Sequence, residues 1–171
     1  MHSFIQHISI VLIPLIFSNV LHMVVVKKNY INHLKHPVSR KLFGENKTWR
    51  GFVIVPFSNA IILHIINTLC YWSLKYAFFL GFVLGLAYVV FELPNSFVKR
   101  RLGILPGASF NYRGRSYSLI DKMDSAFGVC ITYVLLEYIH YKYGILLFIC
   151  SVFIHVMLSK LLVAIKIKTS F

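Results

Sequence analysis

The chain alternates long apolar stretches with short polar segments. Five stretches are apolar enough to form helices that cross the hydrocarbon core of a bilayer, which takes about 20 residues. They run over Phe4–Val26, Gly51–Trp72, Tyr76–Leu93, Ser125–Ile139 and Gly144–Ile165. Because backbone polar groups in lipid must be hydrogen-bonded within the segment, each stretch is predicted to be helical. The pattern predicts an all-α integral membrane protein, a bundle of five transmembrane helices.

Composition supports this class and limits the number of domains. Of the 171 residues, 58 % are hydrophobic and only 13 % are charged, whereas about a quarter of a soluble domain is charged. The sequence contains no repeat of fixed period and no Gly/Ser-rich or Pro-rich linker. We therefore expect one five-helix membrane domain over residues 1–171.

The basic residues are distributed unevenly between the two sides of the predicted bundle. Of the 18 Lys and Arg residues, seven fall in residues 27–50, six in residues 99–122 and three at or after Lys160. The other two connections hold one each, Lys75 and Lys142. The positive-inside rule predicts a multi-pass protein of the cell membrane with a cytoplasmic C-terminus and an outside N-terminus. The loops at about residues 27–50 and 95–123 are then cytoplasmic.

The few acidic residues mark a candidate site on that side. Glu92 stands near the end of the third stretch, and Asp121 and Asp124 stand just before the fourth. A carboxylate at membrane depth costs about 2.5 kcal/mol or more unless it is paired or bound to a cation. In another interpretation, the Asp pair only caps the fourth helix and complements its dipole. That interpretation leaves Glu92 unexplained.

Three polar segments lie on the predicted cytoplasmic side: "LFGENKTWRGF" (42–52), "ELPNSFVKRRLGILPG" (92–107) and "LIDKMDS" (119–125). Together they resemble the CDP-archaeol synthase family, membrane CTP transferases related to phosphatidate cytidylyltransferases. The first segment matches the family pattern G-x-N-K-T-W-R-G from Gly44 to Gly51. The second matches D-L-x-x-S-F-x-K-R-R-x-G-x-x-P-G up to Gly107, with Glu92 in place of Asp. The third matches D-x-x-D.

The resemblance implies an enzyme that transfers CMP from CTP to a lipid phosphate, giving a CDP-lipid and pyrophosphate in phospholipid biosynthesis. Its implied partners are CTP, the membrane lipid phosphate and the bilayer, and its implied cofactor is Mg²⁺. The implied acceptor is archaetidic acid. Glu92 and Leu105 depart from the family pattern close to the substrates, so a phosphatidic acid-like lipid stays an alternative acceptor.

The resemblance also assigns roles to individual residues. Those implied as magnesium ligands are Glu92, Asp121 and Asp124. Those implied as catalytic are Lys99, Arg100, Asp121 and Asp124. Those implied as substrate-binding are Asn46, Lys47, Thr48, Trp49, Arg50, Ser96 and Arg101.

Several of these residues also have a purely structural interpretation. Trp49 stacks on a nucleotide base or anchors a helix at the membrane interface. Ser96 contacts phosphate or caps a short amphipathic helix that runs through residues 99–101. In the second stretch, Asn59 and Asn67 line a cavity or form interhelical hydrogen bonds.

Two other functions compete with the enzyme. One is an inactive relative that serves as a scaffold binding anionic lipids, which the basic loops favour. The other is a small channel or transporter, which predicts polar residues through the middle of several helices; only the second stretch has them. Because the basic loops flank membrane stretches, we expect them to meet CTP or lipid phosphate and no nucleic acid.

Overall fold

A computed structural model of the chain describes residues 3–105, 111–112, 115–116 and 120–164. For residues 111, 112, 115, 116, 120–122 and 162 it describes the backbone alone. The elements are α1 (Phe4–Lys27), a 3₁₀ helix (Asn32–Leu34), α2 (Arg40–Phe43), α3 (Trp49–Leu69), α4 (Ala77–Arg101), β1 (Asn111–Tyr112), β2 (Arg115–Ser116), α5 (Ile120–Leu135) and α6 (Tyr141–Ala164). The strands β1 and β2 form a short antiparallel hairpin.

The five long helices pack as a closed ring. Helix α1 packs against α3, α3 against α4, α4 against α5, α5 against α6, and α6 against α1. A hydrogen bond of 2.8 Å between the His7 Nδ1 and Tyr133 Oη atoms joins the start of α1 to the end of α5. The ends of α1 and α4 and the starts of α3 and α5 lie at the opposite end of the ring. We call this opposite end, formed by residues 27–50, 92–105 and 120–125, the polar end.

The helical class predicted from the sequence is confirmed for the part of the chain that the structure describes. Four helices, α1, α3, α4 and α6, are long and apolar enough to cross a membrane. Helix α5 contains a shorter apolar helical segment, Met123–Leu135. The three polar segments meet at one end of the ring because successive helices alternate in direction.

Helix α4 is longer than the sequence pattern predicted, and the expected loop from residue 95 begins later. The helix continues through Pro94 to Arg101, so the predicted separate helix with Ser96 as its N-cap is wrong. The Ser96 hydroxyl instead donates to the Glu92 carbonyl, 2.9 Å away, within the same helix. The helix ends in a Schellman motif: the amides of Gly103 and Ile104 donate to the carbonyls of Arg100 and Lys99.

The middle of the ring is filled with apolar side chains. Ile10 and Val11 of α1, Leu63 of α3, and Leu80 and Leu84 of α4 are at most 1 % exposed, and they belong to one continuous hydrophobic cluster. A channel would need a polar path through this region. The packing of the described residues therefore does not favour an ion pathway.

Helices α3 and α4 approach each other closely at two glycines. A Cβ atom on Gly81 would lie 2.7 Å from the Ala60 Cα atom, and one on Gly85 would lie 2.7 Å from the Pro56 Cα atom. The Asn59 amide donates to the Gly81 carbonyl, 2.6 Å away, across this contact. Asn67 hydrogen-bonds the backbone of Leu74 in the next connection. The predicted interhelical hydrogen bond is thus confirmed for Asn59, whereas Asn67 holds the connection that follows its own helix.

We predict that Gly85→Ala lowers the thermal unfolding temperature in detergent by several degrees. The added methyl group meets backbone atoms of α3, which cannot yield without shifting a helix, and such overpacking costs about 1–3 kcal/mol. The matched control is Gly51→Ala, where the new Cβ atom lies 3.6 Å from the nearest side-chain atoms. Equal unfolding temperatures for the two variants would contradict the close-contact interpretation.

Candidate active site

The first polar segment is held against the connection that precedes it. The Val38 amide donates to the Lys47 carbonyl at 2.8 Å, and the Trp49 amide donates to the His36 carbonyl at 3.1 Å. Pro37 and Thr48 form an isolated antiparallel bridge between these two bonds. Thr48 then takes an extended backbone conformation and begins α3. This pairing fixes Lys47 at the entrance of the helix ring.

Lys47 forms an ion pair with Glu92 of α4. The two side chains are about equally exposed, at 25 % and 24 %. A carboxylate at the end of a membrane helix requires such a counter-charge, and a charge-assisted hydrogen bond is stronger than a neutral one. The pair joins two of the three polar segments, so their predicted meeting is observed here.

Asp124 joins the third segment to the same place. Gly128, one helical turn further along α5, lets α5 pack against Phe91, because a Cβ atom on Gly128 would clash with the Phe91 ring. The Asp124 carboxylate accepts a hydrogen bond of 2.6 Å from the Ser125 amide. It also lies within electrostatic range of Glu92 and Lys47. Helix packing thus brings the two carboxylates together.

The chemistry of these donors fits a magnesium ion. Carboxylate oxygens are the hard ligands that Mg²⁺ prefers, and the ion usually keeps several waters. Among the described side chains, no cluster of three or more His, Cys, Asp or Glu residues is close enough to hold a metal. The Asp121 side chain, one turn before Asp124, lies outside the described part. Glu92 and Asp124 therefore fit as two of the ligands, and the full predicted set stays a prediction.

The basic residues of the second segment continue along α4 beyond Glu92. Lys99 comes seven residues after Glu92, on a similar face and about 10 Å further along the axis. The Arg100 Nε atom is buried and has no hydrogen-bond partner among the described residues. Arg101 is exposed and lies 5.2 Å from the centre of the Phe97 ring. Arg100 thus presents a buried donor that a bound anion can use.

Arg50 has a structural role that the sequence did not indicate. Its side chain is 2 % exposed. The guanidinium donates to the Ile31 carbonyl at 3.1 Å and to the Asn29 and Asn32 side-chain oxygens at 3.1 and 2.9 Å. These bonds hold the loop that follows α1, and the predicted contact of Arg50 with substrate stays a prediction.

Trp49, the neighbour of Arg50, lies at the edge of the polar end. Its side chain is half exposed, and its ring packs on Phe52 at a centroid distance of 5.9 Å. This position suits a helix anchor at the membrane interface. It leaves the predicted stacking on a nucleotide base untested.

An open cavity of about 1070 Å³ lies at the polar end. Residues from α1, the following loop, the first polar segment and α4 line it, among them His22, Asn46, Thr48, Arg50 and Glu92. A smaller pocket of about 70 Å³ lies beside it and is lined by Asn19, His22, Lys47, Tyr88 and Glu92, among others. Glu92 faces both, so the ion pair stands between the open cavity and the helix ring.

Three polar residues of this region were missed in the sequence: Asn19, His22 and Tyr88. The Asn19 amide donates to the Tyr88 hydroxyl at 3.1 Å, which joins α1 to α4 beneath the ion pair. All three lie within apolar stretches and belong to none of the polar segments. A polar residue inside a membrane helix is itself a signal of function, and the spacing of Tyr88 and Glu92 places them on one helix face.

Comparison with known proteins identifies the family. The CarS-like family model, described as CDP-archaeol synthase, matches residues 5–170. The chain belongs to the CDP-archaeol synthase family. The family model covers nearly the whole chain, so the resemblance predicted from the three polar segments is confirmed. No solved structure shows significant similarity.

Curated relatives match a shorter part of the chain. Proteins named CDP-archaeol synthase from Pyrococcus furiosus and Pyrococcus abyssi are 44 % and 41 % identical over 71 residues. One from Thermococcus kodakarensis is 37 % identical over 71 residues. Each match spans 40 % of this chain and 42 % of the relative.

We predict that Arg50→Lys loosens the loop at residues 29–32 and leaves the helix ring intact. Lysine keeps the charge, but its single nitrogen cannot reproduce the planar fork through which two guanidinium nitrogens reach three oxygens. Hydrogen–deuterium exchange in detergent should be faster by about tenfold or more in this loop, with unchanged exchange in α4. Arg101→Lys is the control because Arg101 is exposed. Unchanged exchange at residues 29–32 would contradict this role for Arg50.

Proposed function

We propose that the protein is a membrane cytidylyltransferase that transfers CMP from CTP to a lipid phosphate. The products are a CDP-lipid and pyrophosphate, as in phospholipid biosynthesis. The acceptor is a phosphate monoester such as archaetidic acid or phosphatidic acid. Membership of the CDP-archaeol synthase family supports this function, since the curated relatives from Pyrococcus and Thermococcus carry that name.

The meeting of Lys47, Glu92 and Asp124 is the observation that carries the proposal. Three segments that are distant in sequence bring one cation and two carboxylates to a single place. This place borders a cavity large enough for a nucleotide. A transferase of this kind has to hold a triphosphate beside a lipid phosphate, so it needs charges of both signs at the membrane surface.

The reaction is an in-line displacement at phosphorus. An oxygen of the lipid phosphate forms a bond to the α-phosphorus of CTP. The bond from the α-phosphorus to the oxygen that bridges to the β-phosphorus breaks, and pyrophosphate leaves with that electron pair. The protein contributes chiefly by positioning the two anions and by stabilising charge.

The residues divide this work by their chemistry. Glu92, Asp124 and Asp121 would hold magnesium, which supplies positive charge that polarises phosphoryl oxygens. Lys99, Arg100 and Arg101 would bind triphosphate and lipid phosphate, arginine through its fork and lysine as a point charge. A larger group would receive the nucleotide at the cavity: Asn46, Lys47, Thr48, Trp49, Arg50 and Ser96.

The position of the site suits both substrates. It lies at the end of the ring where the Lys and Arg residues are concentrated, which the positive-inside rule places in the cytoplasm. CTP reaches the cavity from water there, while the lipid chains remain in the bilayer. We therefore place the site on the cytoplasmic face of the cell membrane.

We predict that the purified protein forms CDP-lipid from CTP and phosphatidic or archaetidic acid in the presence of magnesium. Glu92→Gln and Asp124→Asn should each lower the rate by at least about 100-fold, because a neutral amide neither binds magnesium strongly nor keeps the charge. Lys99→Ala should lower it by about 10²-fold or more through lost charge stabilisation. Release of labelled pyrophosphate and formation of CDP-lipid measure the rate.

The matched control is Glu137→Gln, which makes the same change in an exposed carboxylate at the opposite end of the ring. Its rate should equal that of the wild type. If the wild type forms no CDP-lipid with either acceptor and does not bind CTP, the enzyme proposal fails and the lipid-binding scaffold is favoured.

The proposed orientation gives a separate prediction. Green fluorescent protein fused to the C-terminus should fluoresce in bacterial cells, because it folds in the cytoplasm. Alkaline phosphatase fused in the connection at Lys75 should be active, since that connection faces outside. The opposite pattern would place the polar end outside the cell, where CTP is scarce.

A further inference from the structure

His22 is a partly buried polar residue that the proposed reaction leaves unused. It lies on α1 near the polar end and belongs to none of the three polar segments. Its Nε2 atom is buried and finds no hydrogen-bond partner among the described residues. Since nearly all buried polar atoms of folded proteins are hydrogen-bonded, an unpartnered nitrogen here requires an explanation.

The surroundings of His22 belong to the site. The side chain lines both the open cavity and the small pocket beside Glu92. It lies within electrostatic range of Glu92, Lys47 and Arg50. Gly51 faces the imidazole: a Cβ atom there would lie 3.6 Å from both the Cε1 and the Nε2 atoms. The absence of a Cβ atom on Gly51 thus leaves space next to that edge of the ring.

The groups around the imidazole suit a phosphate oxygen. Lys47 and Arg50 lie within electrostatic range as cations, and the carboxylate of Glu92 in the same range is already paired with Lys47. An imidazole N–H donates to a phosphate oxygen, and a hydrogen bond to an ionised acceptor is stronger than one to a neutral acceptor. A water molecule would also satisfy the nitrogen. If the nitrogen bound only water, its removal would not change how tightly one substrate binds.

We infer that His22 is a further substrate-binding residue, whose Nε2–H group donates a hydrogen bond to a phosphate oxygen of a bound substrate. This inference rests on the proposed function and deepens it. CTP and the lipid acceptor both carry phosphate oxygens, so the chemistry is shared, and the experiment separates the two sources.

The test compares His22→Leu, which removes the donor, with His22→Gln, which keeps an N–H donor. CTP is varied at fixed phosphatidic acid, and phosphatidic acid is varied at fixed CTP. We expect His22→Leu to raise the KM of one substrate by about 10- to 100-fold, and His22→Gln to recover part of this. The substrate whose KM changes is the one that His22 binds.

The control is His64→Leu, the same change at an exposed histidine of α3, which should leave both KM values unchanged. The unfolding temperature is a second measurement, because it would fall in His22→Leu if His22 had only a packing role. Removal of an unpartnered polar atom should leave the unfolding temperature of His22→Leu equal or higher. A lower unfolding temperature with both KM values unchanged would overturn the inference.

The two proposals fail in different ways. If the wild type forms CDP-lipid and neither KM changes in His22→Leu, only the role of His22 is lost. If the wild type forms no product, binding of CTP and of vesicles containing phosphatidic acid decides. Weaker binding by the variant supports the contact, and equal binding overturns it. Where His22→Leu does not fold, His22→Ala, which also removes the donor, takes its place.

Discussion

The close contact between α3 and α4 is the constraint on which the site depends. Gly81 and Gly85 have no side chains, so the backbone of α3 lies directly against α4. Glu92 follows these glycines by two to three helical turns, about 10–16 Å along the axis. Lys47 stands just before α3 begins, and it reaches Glu92 because the two helices are this close. A wider spacing within the membrane would separate the ion pair at its surface.

The polar end is stabilised by contacts that need no substrate. Arg50 holds the loop after α1 through three hydrogen bonds. The end of α4 is closed by the Schellman motif, in which Gly103 has a φ angle of 71°. Basic residues in the last turn also complement the helix dipole. Arg50 and the loop that it holds thus form part of the wall of the open cavity, and Glu92 also lines this cavity.

The sequence predicts the helices well because the need for internal hydrogen bonding in lipid leaves few other structures. The sequence also places the three polar segments at one end. Successive spans alternate in direction, two spans separate the first segment from the second, and none separates the second from the third. It predicts the end of α4 poorly. Pro94 suggests a helix end, yet the basic residues 99–101 followed by Gly103 are the true signal. Asn19, His22 and Tyr88 stay hidden because only the packing of α1 against its neighbours shows which of their atoms face a cavity.

Lys47 and Arg50 show why a motif alone does not assign roles. They are three residues apart, and the sequence assigns them the same task of binding substrate. In the fold, the planar fork of Arg50 meets three oxygens of one loop, a geometry that suits arginine and holds it in place. Lys47 meets a single carboxylate as a point charge, and it is about one-quarter exposed. Lys47 can therefore exchange Glu92 for a phosphate at a smaller cost in free energy than Arg50, which would have to give up three hydrogen bonds in a buried position. One motif thus supplies a fixed cation that shapes the cavity and a second, partly exposed cation that we propose faces the substrates.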